Sequence, residues 1–400
     1  MTGAPSPSLP SRPRSRTRRA ARWLARLLAV AVLAGLVSLN VQCAAPLRTP
    51  PLRATDRPLV VDGDLELARR YAPFVYHAID AERGRQDLPT RVDFDGDLRG
   101  DNNWEHLPGW ELPPTLYYAV LTTATHHFIA YHVFHPRDWA PIDLGLHMTH
   151  ENDGENLQVV VERATGEVVL LFTQAHYEGG VYAPAARDGE TLPPGARWGA
   201  GRDPIRGPLL LVDDGGRPDP RGRHAAVFVE DEGHGIFGFT DGDAEVALRA
   251  DGTADFEDCG LVFRPARDGE AVREPELPRG DASVARPADA VPYQLESTTA
   301  KLWPGLRDGS LLGEDGLFDG ALRYRGRLVD IGVPRYYEGD RFSGPFGADR
   351  GIAPFAVDFR FGEGEVGALF FDPAARYAEC LTVPQPWSLE YEAYPFSPGR

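Results

Sequence analysis

Two runs of aromatic and β-branched residues, Thr115–Thr123 (TLYYAVLTT) and His126–Phe134 (HHFIAYHVF), are separated by only two positions. That spacing predicts a β-hairpin. Leu157–Arg163 and Glu167–Gln174 repeat the pattern around Ala164-Thr165-Gly166 and predict a second strand pair. Shorter apolar runs at Leu209–Val212, Ala225–Val229, Ile236–Phe239, Leu322–Leu328 and Ala368–Phe371 predict further strands, and Leu65–Tyr71 predicts a short helix. Beyond the N-terminal segment no long stretch repeats its apolar positions with the helical period. The expected fold is therefore mostly β, an antiparallel β-sandwich with long loop insertions and few short helices.

The N-terminus carries a different pattern. Arg12, Arg14, Arg16, Arg18, Arg19, Arg22 and Arg26 precede the apolar run Leu27–Leu39, the order of basic and apolar regions in a secretory signal. The run is about 13 residues, short of the ~20 that span a bilayer comfortably. Residues 1–42 are thus expected to be a signal peptide or membrane anchor, and the protein to be exported, either secreted or held in the cell envelope. Cys43 stands where a lipoprotein carries its acylated cysteine, although Asn40-Val41-Gln42 before it are not the small residues expected there. A Pro-rich linker at 43–58 leads to an expected β core at 59–263. An acidic, Pro-rich insertion at 264–290 separates that core from a C-terminal part, 291–400, expected to pack on the same domain.

Composition narrows the class. Of 400 residues, 42% are hydrophobic and 25% charged, which excludes a collagen-like or wholly disordered chain. Acidic residues number 59 against 42 basic ones, for a net charge of −17. Residues 1–42 hold seven arginines and no acid, so the rest of the chain carries −24. Such acidity argues against a nucleic-acid partner bound through its phosphates. Only Cys259 and Cys380 remain beyond the N-terminal segment, a candidate disulfide in an exported protein. Without a CxxC pair, a cysteine-rich zinc site is not supported.

Eight of the eleven histidines fall between positions 106 and 176. Within that stretch His150-Glu151-Asn152-Asp153-Gly154-Glu155 stands directly before an apolar strand. Asp153 and Glu155, two apart, share a face if extended, and His150 can reach the same face. One imidazole and two carboxylates suit a divalent cation, Mg²⁺ or Ca²⁺ first and Mn²⁺ or Zn²⁺ as alternatives. The bland alternative is a solvated acidic turn around Asp153-Gly154. Asp93, Asp95, Asp97 and Asp101 alternate in one loop, a candidate calcium loop that departs from an EF-hand because Leu98 stands where the turn needs Gly. Trp104, Trp110 and Trp139 are read as loop or core anchors, with a sugar-stacking platform as the alternative. Gly233-His-Gly235-Ile-Phe-Gly238 and Gly362-Glu-Gly364-Glu-Val-Gly367 match a dinucleotide pattern only by letter, since neither lies in a βαβ unit.

Phe134-His135-Pro136-Arg137-Asp138-Trp139, a short gap, His150-x-Asn152-Asp153-x-Glu155 and the strand that follows resemble the necrosis- and ethylene-inducing peptide-like (NLP) proteins. Those carry a Gly-His-Arg-His-Asp-Trp-Glu heptapeptide before such a strand. Glu232-Gly233-His234-Gly235 is similar to a Gly-His motif of related vacuolar-sorting-associated proteins. The resemblance, best over 134–160, implies a β-sandwich with a surface cation held by His150, Asp153 and Glu155, with Asp143 as the fourth ligand. Asn152, Gly154 and Thr149 depart from the heptapeptide at its second His, its Trp and its leading Gly, and plant-cell toxicity is not implied.

The leading expectation is an exported or envelope-anchored protein, more binder than enzyme, whose cation recognises a polar ligand such as a sugar or lipid headgroup, with His132 and His234 supporting the site. The membrane would be reached through the N-terminus. One alternative is a metal-dependent hydrolase of phosphodiester, ester or glycoside bonds, in which the cation activates water and His132 or His234 moves protons. The other is an envelope structural protein with no site.

Overall fold

A computed structural model describes residues 63–100, 102–138, 150–175, 178–184, 199–200, 205–241, 244, 246–257, 259–278, 283–308, 321–324, 327–330, 354–359 and 367–396. The N-terminal segment with Cys43, and also Asp101, Trp139 and Asp143, lie outside the described residues. Among the described residues no helix is long and apolar enough to cross a membrane.

Thirteen strands form one large sheet. In chain order they are β1 (Phe74–Ile79), β2 (Thr115–Thr123), β3 (His126–Asp138), β4 (His150–Glu162), β5 (Val168–Ala175), β6 (Glu178–Ala183), β7 (Ile205–Pro208), β8 (Leu211–Val212), β9 (His224–Val229), β10 (Ile236–Gly238), β11 (Cys259–Pro265), β12 (Val291–Ser297) and β13 (Tyr391–Ala393). The spatial order is β10-β9-β1-β11-β12-β2-β3-β4-β5-β6-β7, with β8 beside β9 and β13 beside β2. The two hairpins, β2–β3 and β4–β5, form where the sequence pattern places them.

The antiparallel sandwich needs correction. β1 runs parallel to β9, β11 to β12, β12 to β2 and β6 to β7, so the sheet is mixed. Its edge strand β10 packs back against β4, β5 and β6, so the sheet nearly closes on itself like a barrel. Gly238 permits that closure, because a Cβ there would lie 2.7 Å from the Tyr182 ring on β6. Parallel neighbours need a crossover of a dozen or more residues. The segment expected as an insertion, 264–290, supplies from residue 266 onward the connection between β11 and β12 and is long enough to serve as a crossover.

β1 shows why a central strand here is apolar throughout. Val75 belongs to the main core with Val227 and Phe263, while Phe74 and Tyr76 on its other face enter a second cluster with Val212, Phe228 and Val262. Each fully buried side chain of this size contributes about 1.5–3 kcal/mol. His77 shares the face of Val75 and is completely buried.

Two short helices complete the parts that matter below, α1 (Asp64–Tyr71), expected, and α2 (Asn103–His106). Ala368–Phe371, expected as a strand, is instead a helical turn. Gly367 (φ 76) accepts from the Phe370 and Phe371 N–H groups, and the four apolar side chains all bury, against rings that include Trp303, Phe355 and Phe396. A short apolar run has no period to distinguish the two cases. Cys259, buried on β11, and Cys380, at the end of the Pro373–Cys380 helix, are not disulfide-bonded to each other.

Candidate functional site

The β3–β4 register sets His135 directly opposite Asp153, so both side chains leave the same face of the sheet. β1 brings His77 to them, and the connection between β9 and β10 brings His234. Among the described residues, only His135, Asp153 and His234 bring three metal-capable ligand atoms within 4.8 Å of one another. All three are buried, at 0%, 2% and 0% exposure. Asp87, from the loop after β1, is buried beside them.

The hydrogen bonds fix the tautomers. His77 Nδ1 lies 2.5 Å from the Ala78 carbonyl, which can only accept, so the His77 proton is on Nδ1. Its Nε2 then accepts from His135 Nε2–H at 2.9 Å. Burial, then the charge of His234, lowers the His77 pKa to about 3, so that ring is neutral. Burial likewise, with His234 and His77 nearby, holds His135 well below the usual imidazole range. A neutral His135 with its proton on Nε2 has a bare lone pair on Nδ1. That atom is buried and has no hydrogen-bond partner. Buried polar atoms without partners are uncommon and need a reason.

His234 is held differently. Its Nδ1 donates to Asp153 Oδ2 at 2.6 Å and its Nε2 donates to Asp87 Oδ1 at 3.2 Å. Burial works against its charge, but the hydrogen bonds and charges of Asp153 and Asp87 outweigh burial and raise its pKa to about 10. The charged ring lies stacked on His135, with centroids 3.8 Å apart and planes 13° apart. Asp87 Oδ2 also accepts from the Asp80 N–H at 2.7 Å, which braces the loop.

Backbone strain collects at the same place. The described non-glycine residues with positive φ are Asn152 (59°), Glu232 (65°) and His234 (54°). Asn tolerates this region because its short amide bonds locally, whereas Glu and His are held there by their surroundings. Asn152 accepts from Asn103 Nδ2 of α2 and donates to the Gly100 carbonyl at 2.6 Å, tying the start of β4 to the acidic loop. Asp231 and Glu232, half-buried in the loop carrying His234, are raised to about 6 and about 7 by burial first and by neighbouring carboxylates second. The locality is therefore rich in carboxylates that repel one another.

Of the ligands read from the sequence, Asp153 belongs to this group. Glu155 is buried on the same strand, opposite Val133 and two positions along the same face, but is not one of the three converging residues. His150 pairs through its backbone with Asp138, and its side chain lies outside the description. His234 is in the group. His132 is on the other face of β3, where its Nδ1 bonds Asn156 Oδ1 at 3.0 Å. Gly154, which stands in place of the heptapeptide Trp, leaves room for that ring. A Cβ at 154 would lie 2.6 Å from His132 Cε1.

The acidic loop turns its described carboxylates onto its own neighbours. Asp95 Oδ2 bonds His106 Nδ1 at 2.5 Å, Asp97 accepts from the Arg99 N–H and from Asn102, and Asp93 lies 3.8 Å from Arg91. Trp110 is exposed beside His106. The sequence singles out neither His77 nor Asp87. The one available signal is that His77 interrupts an otherwise apolar strand on its Val75–Ile79 face, where a buried imidazole must find a partner.

No family model and no curated protein matches the chain. Solved structures with a partial likeness include one described as a toxin fold for microbial attack and plant defence. It is 17% identical and covers 50% of this chain and 75% of that one at a TM-score of 0.28. Another, described as a toxin fold as basis for the same, is 14% identical and covers 68% and 89% at 0.31. NLPPya in complex with mannosamine is 17% identical and covers 50% and 74% at 0.28. None of these three is described as of the vacuolar-sorting-associated type. Over half of its length or somewhat more, the chain is thus weakly similar to NLP toxin-fold structures.

Proposed function

We propose that this is a metal-dependent binding protein that holds one divalent cation at His135, Asp153 and His234 and uses it to recognise a polar ligand, such as a sugar or lipid headgroup. The observation behind it is the His135 Nδ1 lone pair, buried without a hydrogen-bond partner on a residue that converges with Asp153 and His234. Two imidazoles and one carboxylate favour Zn²⁺, Mn²⁺ or Fe²⁺ over the Mg²⁺ or Ca²⁺ expected from the acidic motif alone, because hard cations prefer oxygen donors. Three protein ligands leave at least one coordination position for a ligand oxygen. The half-buried Asp231–Gly233 turn directly precedes His234 and is the side from which we propose the ligand approaches. The N-terminal pattern extends the proposal to an exported or envelope-anchored setting.

A second reading has its own support. His234 already satisfies both ring nitrogens with Asp87 and Asp153, so the trio can stand as a buried ion network that only shapes the core. The two readings separate in a titration of chelator-stripped protein. The metal reading predicts one saturable site for Zn²⁺ or Mn²⁺, at least tenfold tighter than for Ca²⁺ or Mg²⁺, with a matching rise in Tm. Indifference to all four ions leaves the ion network. Chelator-sensitive turnover of ester or glycoside substrates would favour the hydrolytic alternative.

A further inference from the structure

At the other end of β1 and β9 from the histidine group lies a cavity of about 410 Å³. Its titratable lining comprises Arg69 and Arg70 of α1, Arg223 and His224 at the head of β9, and Arg264 and Arg267 at and after the end of β11, against the carboxylates Glu66 and Asp214. In a chain with 59 acidic and 42 basic residues, that is a local reversal of sign.

The arginines fall into two groups. Three are braced. Arg223 bonds both oxygens of Asp214 at 2.7 Å, Arg264 bonds both oxygens of Glu270 at 2.6 and 2.8 Å, and Arg69 reaches Glu66 at 2.9 Å and Asp268 at 2.6 Å. Bidentate pairing fixes the plane of a guanidinium and still leaves it N–H donors to offer. The other two, Arg70 and Arg267, are exposed and form no ion pair among the described residues. Arg70 has only its position 5.6 Å from the Tyr71 ring. Braced forks beside uncommitted ones, around a cavity large enough for a small ligand, are groups suited to an oxyanion.

We propose that this cavity binds a phosphate-type oxyanion, a phosphomonoester or phosphodiester group, independently of the metal group. Arg70 and Arg267 supply the uncommitted charge, and Arg223 and Arg264 supply oriented donors. The same chemistry is offered by a soluble phosphate ester and by an anionic lipid headgroup.

The test uses the full chain and the double variant Arg70→Gln/Arg267→Gln, which removes no ion pair seen among the described residues. Inorganic phosphate and glycerol phosphate are titrated at constant ionic strength set with chloride. Retention on vesicles of phosphatidylcholine is compared with and without phosphatidylglycerol. The expected result is a single saturable phosphate site in the wild type, weakened at least tenfold in a double variant whose Tm is unchanged. Retention only on the anionic vesicles, competed by phosphate, assigns the lipid source. Phosphate binding without such retention assigns a soluble ester. No phosphate binding by the wild type, or equal binding by wild type and variant, overturns the proposal.

Discussion

Replacing His234 with alanine is expected to destabilise the protein by roughly 3–5 kcal/mol, the usual cost of removing one partner from a buried charged network. The imidazolium bridges Asp87 and Asp153, and no water can take its place without reaching a core in which all three residues are at most 2% exposed. Alanine leaves two carboxylates in low dielectric with their shared cation gone. It also leaves the backbone at φ 54, so the strain stays while the contacts that hold it are lost. Urea unfolding of the metal-free variant is the check. A loss below about 1 kcal/mol, the worth of an exposed pair, would contradict the buried bridge.

The second large effect falls on affinity. His77→Phe keeps a ring of similar shape at the same place in β1 and removes the acceptor that fixes His135 with its proton on Nε2. Partners that orient a metal-binding histidine typically contribute 10–100-fold in affinity. The variant is therefore expected to stay folded and to bind Zn²⁺ or Mn²⁺ roughly 10–100-fold more weakly in a competition titration with a coloured chelator. Unchanged affinity would mean that His77 does not set the His135 tautomer.

How much of this was legible in the chain depends on the range over which each feature is encoded. The β2–β3 and β4–β5 hairpins were legible because alternation and short turns are local. The parallel pairings of β1 with β9 and of β12 with β2 were not, because each joins segments more than 140 residues apart and no local pattern records its partner. Ala368–Phe371 is too short to carry a period, and burial of its whole surface erases the polar positions that would have marked one. At the site, Asp153 stood out through its motif and His234 through the two glycines beside it. His135 was visible as one of the clustered histidines and within the Phe134–Trp139 run, but nothing there named its partner, and the β3–β4 register is what puts it opposite Asp153. Asp87 and His77 needed the folded sheet, since neither has a neighbour in sequence that announces its role. The departures from the heptapeptide also acquire reasons. Asn152 occupies a left-handed position and ties down the acidic loop, and Gly154 makes way for His132.

In the proposed site His135, Asp153 and His234 hold one cation together, and His234 gives up one of its two ring protons when the ion binds. Elemental analysis of purified wild type and of His135→Ala, both loaded with Zn²⁺ or Mn²⁺ and then desalted, tests this most directly. His135 is neutral and outside the Asp87–His234–Asp153 bridge, so its replacement is expected to leave a folded protein with that bridge intact. About one ion per chain is expected in the wild type and a small fraction of that in the variant, as removing one of three ligands requires. Equal metal in the two proteins, or none in the wild type, would contradict it.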